Sequence, residues 1–196
     1  MPVKIGEPID PAATKRRILT VSERIFYNRG ISLVGVAEIA DAAGASKATL
    51  YKNFGSKEGL VEAALLDRSE RIHRWLRNGV ADLAPGRARV LGVFDLLLDW
   101  FSGDDFHGCG LVSAAAEQRA SDPVVTGLAR RHLQAYRDLL TELLAEMPET
   151  SAARQDPDLF AGRLLLLIEG ATVISSVDGN PEAGLTARAW AESLLD

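Results

Sequence analysis

The segment from Val36 to Phe54 constrains the fold more than any other part of the chain. Ala40, Gly44 and Leu50 are separated by four and then six residues. This spacing predicts two short helices joined by a tight turn. Ala40 is small where the helices must touch, Gly44 tolerates the positive φ of the turn, and Leu50 faces back into the core with Phe26. The segment is therefore predicted to form a helix-turn-helix.

The rest of the chain also has a helical pattern. Apolar residues recur three or four positions apart, and few segments alternate apolar and polar residues. Helices are expected from Asp10 to Gly30, in both arms of the turn, from Ser56 to before Pro85, and at about 87–101, 111–119, 123–146, 158–177 and 181–195. We predict an all-α fold of about nine helices. A three-helix domain at residues 1–56 would contain the helix-turn-helix, and a larger helical domain would occupy residues 57–196.

Composition excludes several classes of protein. The 196 residues include one cysteine, Cys109, which excludes a disulfide framework within the chain and a zinc site built from several cysteines. The sequence contains no run of 18 consecutive apolar residues, so no membrane span is predicted. Residues 1–10 lack the apolar centre of a secretory signal. A cytoplasmic protein with no membrane contact is expected.

Charge is distributed unevenly along the chain. Residues 1–60 contain nine basic and six acidic residues, whereas residues 61–196 contain 13 basic and 21 acidic residues. All five lysines lie in the first segment. A basic head on an acidic body suggests that only the head meets a polyanion, although chance clustering gives the same count.

The second arm of the turn leaves a polar face free once Leu50 is buried. Hydroxyls and amides at a helix N-terminus bind phosphate, lysines neutralise phosphate or donate to guanine, and a methyl group can contact thymine. An ordinary short helix with a solvated face is the alternative. The exposed positions are Ser46, Lys47, Ala48, Thr49, Tyr51 and Lys52.

A longer pattern surrounds this arm. Its most specific part is the run Ala42–Tyr51, and the other matching residues are Arg17-Ile18-Leu19, Phe26, Arg29-Gly30, Ile39-Ala40, Phe54, Ser56-Lys57-Glu58 and Leu60. Through these residues, segment 16–65 resembles the DNA-binding domain of the TetR (tetracycline-repressor) family of bacterial regulators. The resemblance covers about a quarter of the chain. It implies that the remainder is a helical effector and dimerisation domain, in architecture only.

The resemblance also implies roles for individual residues. Ser46 would cap the recognition helix and contact phosphate or a base, and Lys47 and Thr49 would face DNA. The Tyr51 hydroxyl would reach a phosphate. Lys52, and Lys57 at the start of the fourth helix, would contact the backbone, while Leu50, Phe54 and Phe26 would be core.

Four positions depart from the family pattern. Val34 and Gly35 stand where a hydroxyl residue commonly caps the second helix, so a phosphate contact is expected to be missing. Ala37 replaces a basic residue. Gly59 replaces the glutamate of a capping box with Ser56, which is expected to weaken the helix start by roughly 1 kcal/mol.

The loop from Ser102 to Gly110 contains residue types that bind metals or perform catalysis, namely Asp104, Asp105, His107 and Cys109. Their spacing matches no strong metal motif, so no metal is expected. Cys109 could pair with His107 or His132 as nucleophile and base, but no third residue orients such a pair. The chain is not expected to be an enzyme or to need a cofactor.

The body is predicted to enclose an effector pocket that opens near the same loop. Trp100, Phe101, Cys109 and Tyr136 are the candidate walls, with His107 or Glu117 as polar anchor; core packing is the alternative for each aromatic residue. Residues 61–196 contain no lysine, so a mostly apolar small molecule is favoured over a phosphorylated one.

The last two helices are predicted to pair with those of a second copy. The expected dimer interface contains Phe160, Leu164, Leu167, Ile168, Ala171 and Ile174. Together these expectations describe a ligand-responsive repressor that binds a palindromic double-stranded DNA operator as a homodimer. The alternative is a small-molecule-sensing helical protein with weakened or lost DNA binding.

Overall fold

In the computed structural model, which describes residues 10–118 and 122–196, the described chain forms ten α-helices and no strand. This confirms the all-α fold class. The helices are α1 (Pro11–Arg29), α2 (Val36–Ala42), α3 (Lys47–Phe54), α4 (Lys57–Val80), α5 (Arg87–Phe101), α6 (Gly110–Gln118), α7 (Pro123–Leu144), α8 (Ala152–Gln155), α9 (Pro157–Asp178) and α10 (Glu182–Leu194).

One helix was not predicted. The four-residue α8 is a single turn, too short to show a helical period in the sequence. The Ser151 hydroxyl accepts a hydrogen bond from the Ala153 amide at its start, and Ala153 is buried. Two predictions lie outside the described residues: the character of residues 1–9, and the end of the sixth helix at Arg119.

The chain divides into two compact units. One contains the residues up to Ser69 together with Gly110–Ala129, and the other contains Glu70–Cys109 and Arg130–Asp196. Helix α4 therefore begins in the first unit and continues into the second, and α6 belongs to the first unit.

The first unit contains the helix-turn-helix. Helix α1 starts where the Asp10 carboxylate accepts a hydrogen bond from the Ala12 amide, directly before Pro11. The side chains of Ile18, Ile39 and Leu50, one from each of the first three helices, are fully buried. These three helices form because each contributes an apolar side to a small shared core.

The second unit has a larger core of aliphatic and aromatic side chains from α5, α7 and α9. Helix α10 packs along α9 and α5. A Cβ atom on Gly184 of α10 would lie 2.8 Å from a ring carbon of Phe101, so the glycine allows this close approach. Phe101, a predicted pocket wall for which core packing was the alternative, therefore has a specific packing neighbour.

Helix α9 is the one helix, among the described residues, that is long and apolar enough to cross a membrane. The helix contributes Phe160, Leu164 and Ile168 to the core of the second unit. Because core helices pass the same test of length and composition, this is weak evidence for a membrane.

Candidate DNA-binding surface

The turn between α2 and α3 has the predicted geometry. Gly44 adopts a φ of 58°, in the left-handed region that glycine enters readily. The Ala45 amide donates to the Ala40 carbonyl at 2.9 Å, and Ala40 is buried. Arg17 of α1 adds a bond that the sequence did not predict, because its Nε donates to the Ala43 carbonyl at 2.7 Å. The turn is therefore stabilised by one hydrogen bond within it and by a second from α1.

Helix α3 presents two different faces. Ser46 is its N-cap, as predicted, and its hydroxyl accepts a hydrogen bond from the Thr49 amide at 3.0 Å. Leu50 is completely buried, whereas Tyr51 is 46% exposed. Lys47, Ala48 and Lys52 are also exposed.

Not every predicted contact residue is equally free. The hydroxyl of Thr49 lies 2.8 Å from that of Ser46, so the two share a hydrogen bond at the start of α3. Phe54 is only partly buried, and the ammonium of Lys15 lies 5.7 Å from the centre of its ring. This cation–π contact joins α1 to the end of α3.

The three departures at the start of α2 lie in different surroundings. Val34, which stands where the family pattern commonly has a hydroxyl residue, is completely buried and contributes to the core. Gly35 is the N-cap and, having no side chain, makes no capping bond. Ala37 is exposed. The start of α2 therefore lacks a side-chain cap of its own.

The glycine at position 59 has a structural reason. Ser56 accepts a hydrogen bond from the Gly59 amide at 3.1 Å, as an N-cap does. A Cβ atom on Gly59 would lie 2.2 Å from the Phe54 carbonyl oxygen. The family's glutamate would collide with that carbonyl, because α3 and α4 are joined too tightly here.

Lys57 and Glu117 make contacts within the first unit. The Lys57 ammonium donates to the Ile31 carbonyl at 2.7 Å. Glu117, which was predicted to anchor an effector, instead contacts the loop that follows α1. Its carboxylate accepts hydrogen bonds from the Ile31 and Ser32 amides at 2.9 and 2.6 Å. Sequence reasoning missed this contact because the partners are more than 80 residues apart.

The predicted effector residues fall into separate groups. Trp100 and Phe101 cluster with Phe106, with ring centres 4.8 to 5.7 Å apart. Phe106 was not predicted. Cys109 is buried, whereas His107 is exposed. No group of three or more His, Cys, Asp or Glu side chains in the described part of the chain is arranged to hold a metal ion.

Tyr136 belongs to a different cluster of the second unit. Its ring contacts His73 and His132 edge-on, with ring centres 4.8 and 5.2 Å apart. Tyr136 and His132 are both buried. Burial lowers the pKa of His73, and the charge of Arg77 acts in the same direction, although the His132 carbonyl and Asp138 oppose it.

A surface depression of about 510 Å³ lies between α7 and α9. Most of its lining side chains are polar, and it contains none of the predicted effector residues. Its lining residues are Gln134, Arg137, Asp138, Thr141, Glu142, Asp158 and Ala161.

Most residues of the interface predicted on α9 lie on the side of the helix that packs into the chain's own core. Phe160, Leu164, Ile168 and Ala171 are buried within the chain itself, and Leu167 is partly buried against the same core. These residues stabilise the second unit, and their burial leaves them unable to face a partner.

A different apolar set is exposed on the last two helices. We call it the α9–α10 apolar face, and its members are 51% to 78% exposed: Leu166, Val173, Ile174, Val177, Leu185 and Trp190. Ile174 is the one predicted interface residue that belongs to it. The spacing of Leu166, Val173 and Val177 places them along one side of α9. Burial, which only the tertiary structure reveals, distinguishes this side from the core side.

The fold and the α3 surface define a helix-turn-helix transcriptional regulator. The family model for bacterial regulatory proteins of the tetR family matches residues 18–64. The HTH-type transcriptional regulator YvkB of Bacillus subtilis is 36% identical over 136 residues, which cover 69% of this chain and 68% of YvkB. The chain belongs to the TetR family of bacterial transcriptional regulators, which are DNA-binding proteins and not enzymes.

Other relatives agree with this assignment. The HTH-type transcriptional repressor KstR2 of Mycobacterium tuberculosis is 27% identical over 180 residues, covering 91% of this chain and 87% of KstR2. SCO4454, a TetR-family transcriptional regulator from Streptomyces coelicolor, has a TM-score of 0.83 at 27% identity and covers 94% of this chain and 95% of that one. Two mycobacterial relatives that are 40% identical match over only 37% of their own length.

Proposed function

We propose that this chain is a ligand-responsive repressor that binds a palindromic operator as a homodimer. The observation that carries the proposal is the exposed face of α3. Lys47, Tyr51 and Lys52 are exposed on this helix while Leu50 anchors the opposite side. A short helix of this kind can enter the major groove, with its N-terminal residues at base edges and its cations at phosphates.

Individual roles follow from this placement. Lys47 and Ala48, in the first turn of α3, are assigned to base edges, together with Ser46 and Thr49. Tyr51 and Lys52 are assigned to phosphates. Lys57 was also predicted to contact phosphate, and its bond to the Ile31 carbonyl competes with that role.

A homodimer is proposed because a single head offers few base contacts. Dimeric helix-turn-helix proteins gain specificity by placing two heads in successive major grooves. The α9–α10 apolar face supplies a surface for self-association, since contiguous exposed apolar side chains mark interaction sites. Gly170 lies on the same side of α9, and a Cβ atom there would meet nothing within 4 Å. The backbone of a second copy could therefore approach closely.

Effector binding and dimerisation are assigned to residues 57–196, and DNA binding to residues 1–56. The aromatic and aliphatic side chains of the second unit favour a mostly apolar effector. Trp100, Phe101, Tyr136, His107 and Cys109 remain its candidate contacts. Repression is favoured by the similarity to KstR2, a transcriptional repressor that aligns over 91% of this chain.

A mobility-shift assay tests the proposal. The wild-type chain should retard a DNA duplex taken from the region upstream of its own gene, and retardation should weaken steeply as salt rises because phosphate contacts release counterions. Apolar compounds that raise the melting temperature should release the duplex. A chain that binds such compounds but retards no duplex, including one selected from a random pool, would favour the small-molecule-sensing alternative.

A further inference from the structure

The carboxylate of Glu117 holds the loop between α1 and α2. Its Oε2 accepts a hydrogen bond from the Ile31 amide at 2.9 Å, and its Oε1 accepts one from the Ser32 amide at 2.6 Å. Both oxygens are therefore used on consecutive amides of one loop. Glu117 lies near the end of α6, 85 residues from Ser32.

The surrounding chain is shaped for this contact. Gly30 has a φ of 80°, and a Cβ atom there would lie 3.1 Å from the Glu117 Oε2. Glycine thus allows both the backbone conformation and the close approach of the carboxylate. The Lys57 ammonium donates to the carbonyl of Ile31 at 2.7 Å, so that both backbone groups of Ile31 are bound. Side chains from α4 and α6 therefore both hydrogen-bond to the backbone of Ile31.

Hydrogen bonds favour the ionised form of this carboxylate. Burial acts to raise the pKa of Glu117, but the hydrogen bonds from Ser32 and Ile31 and the charge of Lys57 outweigh it and lower the pKa. Glu117 is therefore an anion at neutral pH.

The loop needs an external anchor because α2 has no side-chain cap. Gly35 makes no capping bond at the start of α2, although a cap is commonly worth about 1 kcal/mol to a helix. The loop leads directly into α2, and α2 packs against α3. A displacement of the loop would therefore move the helix that supports the recognition surface.

We propose that Glu117 is a positioning residue for DNA binding, and that Lys57 acts with it by holding Ile31 rather than by contacting phosphate. This inference rests on the proposed function in that α3 makes the DNA contacts. Glu117 itself touches no DNA in this arrangement. Its effect on affinity is transmitted through the loop and α2 to α3.

The direction of the change in DNA affinity distinguishes a positioning role of Glu117 from a purely electrostatic one. Removing a carboxylate from a DNA-binding protein lowers its repulsion for phosphate and should strengthen binding. If Glu117 positions the loop, Glu117→Ala should instead weaken binding, by about 10-fold for the loss of hydrogen bonds to a charged group. Glu117→Gln keeps one hydrogen-bond acceptor, so its DNA affinity should lie between those of the wild type and Glu117→Ala. Glu70→Ala, at an exposed position in the second unit, controls for the change in net charge.

The experiment uses the full chain and a duplex that the wild-type protein selects from a random-sequence pool. Affinity is measured across a series of salt concentrations for the wild type and each variant. The salt slope of Glu117→Ala should equal that of the wild type because no phosphate contact is lost. Lys57→Met should weaken binding with the same unchanged slope, whereas loss of a direct phosphate contact would reduce the slope by about 1.

Amide exchange, measured without DNA, reports on the loop directly. In Glu117→Ala the Ile31 and Ser32 amides should exchange about 10-fold faster, while the Leu50 amide inside α3 should not change. Equal DNA affinity of Glu117→Ala and wild type, or a reduced slope for Lys57→Met, would overturn the inference. Failure of the wild type to select any duplex would overturn the proposed function instead.

Discussion

The Nε2 atom of His73 lies 3.1 Å from both the backbone carbonyl oxygen and the Nδ1 atom of His132. A carbonyl can only accept, so the bond to it requires the proton on Nε2. The Nδ1 atom of neutral His73 is then an acceptor. It is buried and has no hydrogen-bond partner in the described part of the chain. The second unit thus contains a half-buried histidine whose surroundings favour the neutral form, since burial lowers its pKa.

This arrangement predicts that acid destabilises the protein through His73. Because burial lowers its folded-state pKa, the unfolded chain takes up a proton below about pH 6.5 that the folded chain resists. The free energy of unfolding should fall as pH decreases through that value, by at most about 1.4 kcal/mol per pH unit for one proton. Urea unfolding at pH 7.5, 6.5 and 5.5 should show a smaller loss in His73→Phe than in wild type. The same pH dependence in both proteins would contradict the assignment.

The recognition surface predicts a second set of variants. Lys47→Ala and Tyr51→Ala should each weaken DNA binding by about 1–3 kcal/mol, and Lys52→Ala should reduce the salt slope by about 1 because its ammonium is assigned to a phosphate. Tyr51→Phe removes only the hydroxyl and tests the phosphate contact alone. Fluorescence anisotropy with a selected duplex measures these changes. Arg130→Ala removes an exposed cation from α7 and should bind like wild type; normal binding by the α3 variants would refute the assignment.

Two arginine substitutions on α9 should have different consequences. Leu166 is 75% exposed and Ala171 is 5% exposed. Leu166→Arg should convert the dimer to a folded monomer, because its charge would be buried only in the assembly. Ala171→Arg should instead unfold the second unit, since an unpaired charge in a core costs about 3 kcal/mol or more. Sedimentation at micromolar concentration and circular dichroism separate the outcomes. A wild-type monomer, or a dimeric Leu166→Arg, would contradict the proposed interface.

Replacing Gly59 by alanine should lower the free energy of unfolding. Helix propensity alone favours alanine by about 1 kcal/mol, but the new Cβ would lie 2.2 Å from the Phe54 carbonyl oxygen. Gly59→Ala should therefore destabilise the chain by about 1–3 kcal/mol in urea unfolding. Gly162→Ala is the matched control, because a Cβ there meets nothing within 4 Å, and it should be neutral or stabilising. A gain in stability for Gly59→Ala would show that the α3–α4 connection adjusts freely.

Local features were readable in the sequence. The helix-turn-helix depends on residues within 20 positions of one another, so Ala40, Gly44 and Leu50 predicted the turn and its buried side. The Ser46 cap follows from the same short range, because a cap bonds to the amide three residues later. Features that depend on distant parts of the chain were not readable. Glu117 looked like a free carboxylate beside a pocket, yet its partners lie in a loop of the first unit.

The sequence alone determined the all-α class, the helix-turn-helix and the positions where its helices begin and end, since spacing and capping chemistry act over a few residues. Only the tertiary structure decided which side of α9 is core. Helix α9 has apolar residues on all its sides, so periodicity could not separate buried Leu164 from exposed Leu166. It also decided that the side chain of Val34 is buried, and that a carbonyl leaves no room for a Cβ atom at Gly59. Burial and close approach are set by elements that the local sequence does not contain.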